Sequence, residues 1–194
     1  MLYYIIRAIL VPFVYLLFWP KIQGKENLPT EGSAIIFSNH TSLFDPIVLG
    51  CLLPRKIYFM AKQELFRIKP FALFMKGLGA FPVKRGTADI SAVKTALYTL
   101  RKGEVFGIFP EGTRSRDGNM QQFTHGTAAI ALKSRAITVP VVITGGYRLF
   151  RPIQVIVGKP LDLEKYYGNK SNSELLDKVS EEMMEAVKSL VPFQ

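Results

Sequence analysis

Cysteine and histidine are scarce in this chain of 194 residues, which has one cysteine and two histidines. The single thiol, Cys51, excludes an internal disulfide framework. The histidines have no closely spaced companions of the kind that bind zinc, so we expect no metal site. The sequence also lacks internal repeats, low-complexity tracts and a recognisable linker. These absences favour one domain, long enough to have a hydrophobic core of its own.

Acidic residues are few relative to basic ones. Lysine and arginine total 25 against 15 aspartates and glutamates, a net charge of +10, while 48% of the residues are hydrophobic. A chain that is both basic and apolar favours a membrane surface with anionic lipid as its partner. Proteins that bind nucleic acids more often combine basic charge with interleaved aromatic residues and less apolar content, so we expect no nucleic-acid partner.

Charge is almost absent from residues 1–20, where Arg7 is the only charged side chain. The segment has neither the basic start nor the small-residue cleavage site of a signal peptide. Arg7 and Pro12 interrupt the apolar run, and Trp19 is typical of a membrane interface. We therefore predict a helix that anchors the chain in one leaflet. A full span and a buried core helix are the alternatives. Two lysines follow, which places the remaining chain on the cytoplasmic face of the cell membrane.

Short apolar runs alternate with helical patterns through residues 21–194, which we predict to be a single domain. The candidate strands cover residues 33–38, 56–60, 80–84, 105–109, 139–144 and 153–157. Between them, apolar residues recur at helical spacing over residues 90–100 and 128–135, and a capping box at residues 171–174 predicts a last helix. This alternation predicts an α/β fold with a mostly parallel central sheet covered by helices.

The segment SNHTSLFDP, residues 38–46, follows the first candidate strand. A helix through both His40 and Asp45 would place their side chains about 140° apart around its axis. They meet only if residues 40–44 form a turn and a helix begins near Asp45 and Pro46, where proline favours a helix start. Asp45 would then either cap that helix or accept a hydrogen bond from His40. In the second case the other ring nitrogen is free to take a proton from a hydroxyl.

Two more polar segments follow candidate strands. Residues 108–116, IFPEGTRSR, place two arginines after Glu111, and residues 80–86, AFPVKRG, include a Lys-Arg pair. Arginine binds phosphate in a bidentate manner, although such residues are also common on solvated surfaces. The carboxyl ends of parallel strands share one edge of a sheet. A base, its carboxylate and phosphate-binding arginines can therefore converge on one pocket.

Four segments together resemble, in order and spacing, the motifs of the glycerolipid acyltransferases. They are His40-x4-Asp45, Phe81-Pro-Val-Lys-Arg85, Phe109-Pro-Glu-Gly-Thr-Arg114 and Val139-Pro-Val-Val-Ile143. The resemblance covers residues 22–160 and is strongest to the bacterial members that acylate 1-acylglycerol-3-phosphate. It implies transfer of a fatty acyl group from an acyl thioester to the sn-2 hydroxyl of that lysophospholipid, which gives phosphatidic acid.

The resemblance also implies the site residues. His40 is the general base, Asp45 orients it, and Lys62 lies near the substrate. The positions that bind the acceptor's glycerol phosphate in that family are occupied here by Arg85, Glu111, Gly112, Thr113 and Arg114. No cofactor is implied, because the acyl donor is acyl-CoA or acyl carrier protein. The oxyanion of the reaction would be stabilised by N–H groups in the turn after His40 or by Lys62.

Several points stay open at this stage. The acceptor could be glycerol-3-phosphate or another lysolipid, or the chain could be a non-catalytic peripheral protein that binds acidic lipids. Thr124 and His125 depart from the family's usual basic pair, and we expect His125 to be a helix-start residue. Residues suited to line an acyl-chain pocket are Phe66, Phe71, Phe74 and Met75.

Overall fold

A seven-stranded sheet organises the chain in a computed structural model, which describes residues 2–84, 89–115, 119–170 and 172–191. Its strands are β1 (Lys21–Gln23), β2 (Ala34–Ser38), β3 (Ile57–Lys62), β4 (Ala80–Val83), β5 (Val105–Ile108), β6 (Ile137–Thr144) and β7 (Gln154–Val157). They are ordered β1-β7-β6-β2-β5-β3-β4. The β6–β7 pair is antiparallel and the other neighbours are parallel. The predicted mostly parallel α/β sheet is confirmed.

Helices cover both faces of this sheet. They are α1 (Leu2–Phe18), α2 (Asp45–Leu52), α3 (Lys69–Gly77), α4 (Ile90–Arg101), α5 (His125–Ser134) and α6 (Ser173–Lys188). Ala34 and Ile36 of β2 lie in the core formed with α1 and α2, whereas Ile35 and Phe37 lie in the core formed with α4, α5 and α6. A strand buried on both faces has no polar face, which explains the continuous apolar run before His40.

The N-terminal helix α1 has one buried and one exposed face. Val14 and Phe18 are buried in the core, and the Tyr3 hydroxyl donates to the Gly50 carbonyl at 3.2 Å. The opposite face leaves large apolar side chains exposed, namely Ile5, Ile9, Phe13 and Leu16. Within the described ranges, none of the helices has the length and apolar character needed to cross a membrane.

The boundaries differ from the prediction at several places: strand β3 ends at Lys62, two residues late, and helix α3 is not predicted. Strand β1 is not predicted, because three residues with one half-buried side chain, Ile22, carry no alternation signal. Strand β6 begins at Ile137, two residues early. The predicted capping box makes Ser171 the cap of α6, but the cap is Asn172, whose side chain accepts from the Leu175 N–H at 2.9 Å. Ser171 itself lies outside the described residues. Helix α5 begins at His125, the residue expected at a helix start, three residues before the predicted apolar pattern of 128–135.

Candidate active site

The turn between β2 and α2 brings His40 and Asp45 together. Helix α2 begins at Asp45, with Pro46 in its first turn. The His40 Nδ1 atom lies 2.7 Å from Asp45 Oδ2, and the two residues are 7% and 0% exposed. The predicted turn and the pairing of the two side chains are confirmed.

Asp45 Oδ2 is bound by the turn that precedes it. It accepts from the N–H groups of Thr41 and Ser42 at 2.7 and 2.8 Å, in addition to the imidazole. The N-cap of α2 is Phe44, without a side-chain cap, so Asp45 does not cap its own helix. Because an ionised carboxylate only accepts, His40 Nδ1 must carry the hydrogen, which leaves Nε2 with a lone pair.

The backbone of His40 is held by the loop after β5. Its N–H donates to Glu111 Oε1 at 2.7 Å, and its carbonyl accepts from the Ser115 N–H at 2.8 Å. The second carboxylate oxygen of Glu111 accepts from the Gln121 N–H at 2.9 Å. Burial raises the pKa of Glu111, partly offset by these N–H donors. The imidazole ring stacks on Phe109 with 4.1 Å between ring centroids. The imidazole is thus fixed through both its ring and its main chain.

Asn39 joins the end of β2 to the end of β6. Its side-chain amide donates to the Ile143 carbonyl and accepts from the Ile143 N–H, both at 2.9 Å. These two hydrogen bonds take the place of backbone pairing between β2 and β6, where the chain leaves β2 and turns toward His40. Asn39 is not predictable from the sequence, because its partner, Ile143, lies far along the chain.

Tyr147, in the loop after β6, places a second buried polar group near Asp45. Asp45 Oδ1 and the Tyr147 hydroxyl are both buried, and neither has a hydrogen-bond partner among the residues that the structure describes. Burial and then the charge of Asp45 raise the pKa of Tyr147. The two groups therefore interact electrostatically, although their geometry falls outside hydrogen-bond limits. The tyrosine ring packs against Phe18 and Phe44, with centroid distances of 5.3 and 5.8 Å.

A cavity of about 890 Å³ adjoins His40. Helices α1 to α5 and strands β3, β4 and β5 contribute to its lining, most of which is apolar. Phe71, Phe74 and Met75 line it as expected, whereas Phe66 is not among the lining residues. Cys51 also lines the cavity, and burial raises its pKa to about 11. A cavity of this size and character suits a lipid chain.

The predicted substrate-binding residues take up different positions. Lys62 and Gly112 line the cavity together with His40. Thr113 and Arg114 are exposed and do not contribute to the lining, and the Thr113 hydroxyl donates to Gln121 Oε1 at 3.2 Å. Glu111 lies behind His40, with both oxygens bound to N–H groups. Arg85 lies outside the described residues.

Comparison with known proteins gives related sequences over most of the chain. One is the 1-acyl-sn-glycerol-3-phosphate acyltransferase of Bacillus subtilis, which is 35% identical over 176 residues, 88% of this chain and 87% of that protein. Another is the chloroplastic 1-acyl-sn-glycerol-3-phosphate acyltransferase BAT2 of Brassica napus, 30% identical over 186 residues. That match covers 88% of this chain, which spans about half, 52%, of the plant protein.

The fold is also similar to a solved structure. The crystal structure of the 1-acyl-sn-glycerophosphate (LPA) acyltransferase, PlsC, from Thermotoga maritima has a TM-score of 0.73 and 27% sequence identity to this chain. The similarity covers 97% of this chain and 78% of that one. Residues 20–144, which include β1 to β6 and the His40–Asp45 pair, match the family described as Acyltransferase. The chain therefore belongs to the Acyltransferase family.

Proposed function

We propose that this protein transfers a fatty acyl group from an acyl thioester to the sn-2 hydroxyl of 1-acylglycerol-3-phosphate, forming phosphatidic acid. The observation that carries the proposal is the buried His40–Asp45 pair beside an apolar cavity of about 890 Å³. The names of the relatives in Bacillus subtilis and Thermotoga maritima support this choice of acceptor.

His40 acts as the general base. Its Nε2 atom takes the proton of the acceptor hydroxyl while the hydroxyl oxygen attacks the thioester carbonyl carbon. The tetrahedral intermediate then collapses, the carbon–sulfur bond breaks, and the leaving thiolate takes the proton back from His40. Asp45 stabilises the transient imidazolium, because its Oδ2 lies 2.7 Å from Nδ1. General-base catalysis of this kind contributes about 10²–10⁴-fold to the rate.

Lys62 is the favoured group for the oxyanion of the intermediate. Two N–H groups of the turn, those of Thr41 and Ser42, are already bound to Asp45. Lys62 lines the cavity with His40, and its ammonium group lies 3.6 Å from exposed Glu64. A surface ion pair of that length is weak, so the lysine is available to turn toward a developing negative charge.

The acceptor's phosphate is bound by Arg114, and the family resemblance adds Arg85, which lies outside the described residues. Arg114 is exposed two positions after Gly112, which lines the cavity. Thr113 adds a hydroxyl next to Arg114. Glu111 belongs to the same segment but contributes indirectly, because its carboxylate holds the backbone of His40. A phosphate fixed in this way brings the sn-2 hydroxyl to the imidazole.

The protein works on the cytoplasmic face of the cell membrane, where α1 holds it at the surface. The exposed apolar face of α1 and the net charge of +10 support this location. Replacing Ile9 and Phe13 by serine removes exposed apolar surface without entering the core, so the double variant should bind anionic vesicles more weakly. Unchanged vesicle binding by that variant would show that α1 does not anchor the protein to the membrane.

A thiol-release assay with purified protein tests the activity. Acyl-CoA and acyl carrier protein thioesters are offered as donors with 1-acylglycerol-3-phosphate, glycerol-3-phosphate and a lysolipid without an exposed phosphate as acceptors. We expect thiol release with 1-acylglycerol-3-phosphate and not with the other two acceptors. Mass spectrometry should identify phosphatidic acid as the product. His40→Ala should lower kcat by at least about 10²-fold. The matched control is His125→Ala, because the imidazole of His125 is exposed and contacts Asp177 on α6.

Two results would contradict the proposal. Full activity of His40→Ala would exclude the general-base mechanism. Binding of acidic lipid without thiol release from any donor would instead indicate a non-catalytic lipid-binding protein.

A further inference from the structure

A tight turn at residues 148–151 exposes two large apolar side chains between two arginines. Leu149 and Phe150 are 63% and 55% exposed, and Arg148 and Arg151 are exposed as well. The Arg151 N–H donates to the Arg148 carbonyl at 3.2 Å, which closes the turn. Phe150 has a φ of 58°, in the left-handed region that bulky residues avoid. A strained backbone and an exposed ring are both unfavourable, which indicates a role beyond the protein's own packing.

The turn is attached to the carboxyl end of α1. The Phe150 N–H donates to the Leu17 carbonyl at 2.7 Å, and the Ile153 N–H donates to the Phe18 carbonyl at 3.0 Å. These bonds satisfy carbonyls that the last turn of a helix leaves unpaired. Leu16 and Trp19, on either side of them, are exposed. The exposed apolar surface of α1 therefore continues into the turn.

The position of the turn relates it to the active site. It follows β6, which is parallel to β2, so it lies at the sheet edge where His40 follows β2. Both strands point their carboxyl ends toward that edge. A surface bound by the turn would therefore face the edge of the molecule that carries the catalytic pair.

We propose that residues 148–151 form a second membrane-contact site. Leu149 and Phe150 enter the interface of an anionic bilayer, and Arg148 and Arg151 bind lipid phosphates, which guanidinium groups match in shape and charge. The membrane setting rests on the proposed function, but the turn is a contact separate from the outer face of α1. Two contacts joined by main-chain hydrogen bonds would fix the orientation of the active-site edge toward the lipid.

Sedimentation of the full chain with vesicles tests this site. On vesicles of phosphatidylcholine and phosphatidylglycerol, Leu149→Ser combined with Phe150→Ser should weaken partitioning about tenfold or more. The matched control is Ile137→Ser, since Ile137 is exposed at the start of β6, on the opposite edge of the sheet. Arg148→Gln combined with Arg151→Gln should weaken binding on anionic vesicles only, and the difference should shrink in high salt.

Two further measurements complete this experiment. Trp19 is the only tryptophan, so its emission should shift to the blue when the wild type binds vesicles. Turnover of detergent-dispersed acceptor by the double serine variant should stay at the wild-type level, which separates membrane contact from catalysis. Equal vesicle binding by the double serine variant and the wild type would overturn the proposal, whether or not the protein transfers acyl groups.

An independent observation concerns the buried hydroxyl of Tyr147. Asp45 Oδ2 accepts three hydrogen bonds, whereas Asp45 Oδ1 and the Tyr147 hydroxyl are both without a hydrogen-bond partner in the described residues. Two buried polar groups that interact with each other and have no other partner form a complementary donor and acceptor. Phe18 and Phe44 pack against the tyrosine ring, so contacts of the ring fix the position of its hydroxyl.

We infer that Tyr147 is a positioning residue for Asp45. Its hydroxyl donates to Oδ1 and fixes the rotation of the carboxylate, which keeps Oδ2 on His40 Nδ1. A carboxylate bound at one oxygen only is freer to rotate, and the imidazole it orients would then lose alignment with the acceptor. This role rests on the proposed function. It adds Tyr147 to Glu111 and Asn39 as side chains that support the catalytic pair.

Tyr147→Phe tests this role, because it keeps the ring and removes the hydroxyl. We expect kcat to fall about tenfold with unchanged KM for donor and acceptor, as for loss of one hydrogen bond to a charged group. The matched control is Tyr166→Phe, since the Tyr166 hydroxyl donates to Glu182 at 2.8 Å away from the site. The NMR chemical shift of the His40 Nδ1 proton should change in Tyr147→Phe and remain unchanged in Tyr166→Phe. This measurement does not depend on enzymatic activity. An unmoved resonance with unchanged kcat would overturn the inference.

Discussion

The carboxylate of Glu111 contacts the main chain of His40, with Oε1 2.7 Å from the backbone nitrogen of His40. Its other oxygen binds the Gln121 N–H, so the loop after β5 holds the turn after β2. The two segments are 71 residues apart in the chain. The segment that the family resemblance assigns to phosphate binding therefore also contains a support for the general base.

Replacing Glu111 by glutamine tests this support. The amide of glutamine can accept from only one of the two N–H groups and would point a donor at the other. We expect the free energy of unfolding to fall by about 1–3 kcal/mol, with a lower kcat. Urea denaturation and steady-state kinetics measure the two effects. Glu181→Gln, on the exposed side of α6, is the control. A higher KM for the acceptor with unchanged stability would indicate direct phosphate binding instead.

Asp45→Asn tests the orientation of the imidazole. The variant keeps the shape of the side chain, but a neutral amide oxygen stabilises the imidazolium much less than a carboxylate does. Its NH₂ group would also face N–H donors of the turn if the amide rotated. We expect kcat to fall by about 10²–10⁴-fold with little change in acceptor binding. Retention of more than a tenth of the wild-type kcat would contradict a catalytic role for the pair.

Arg7 is predicted to stabilise the docking of α1. Its guanidinium donates to the carbonyls of Cys51 and Leu53, at 3.2 and 2.9 Å, in the last turn and at the C-cap of α2. Arg7→Met keeps the aliphatic stem and leaves those carbonyls without this donor, so we expect a loss of about 1–3 kcal/mol in unfolding free energy. Arg101→Met, on the exposed surface of α4, should cost much less. Equal thermal unfolding temperatures for the two variants would show that the Arg7 hydrogen bonds do not stabilise the docking of α1.

Cys51 should react slowly with alkylating reagents. Its pKa is raised to about 11, mainly by burial, so at pH 8 only about one thiol in a thousand is the reactive thiolate. We expect the rate of modification by iodoacetamide to rise about tenfold per pH unit between pH 8 and 10 in the folded protein. Urea should remove most of this protection. Rapid modification of the native protein at pH 7 would show that the cavity wall opens to solvent.

Local patterns in the sequence predict most of the sheet and the catalytic turn. Residues 34–37 are buried on both faces of the sheet, so their continuous apolar run is visible without knowledge of the fold. The His40–Asp45 pair is predictable because a turn of a few residues and a proline determine the geometry. The support of that pair is not predictable in this way. Glu111, Asn39 and Tyr147 meet their partners only after distant strands pair, and none of their own neighbours in sequence signals the contact.

The N-terminal helix shows a second limit of pattern analysis. Its composition favours a membrane anchor, and its outer face is apolar and exposed, but Val14 and Phe18 lie in the core. Which side of an almost uniformly apolar helix packs inward depends on the helix it meets. Here that helix is α2. The side chains of Tyr3 and Arg7 donate hydrogen bonds to its main-chain carbonyls. Deleting residues 1–20 would therefore remove part of the core along with the outer face.

The pairing of β1 with β7 has a consequence for synthesis of the protein. The strand that follows α1 finds its neighbour in the described sheet only at residues 154–156, and the amides that complete the end of α1 belong to Phe150 and Ile153. During synthesis, the apolar residues of α1 therefore stay only partly covered until residues 150–156 have left the ribosome. Contact with lipid or a chaperone during that interval would prevent aggregation of nascent chains.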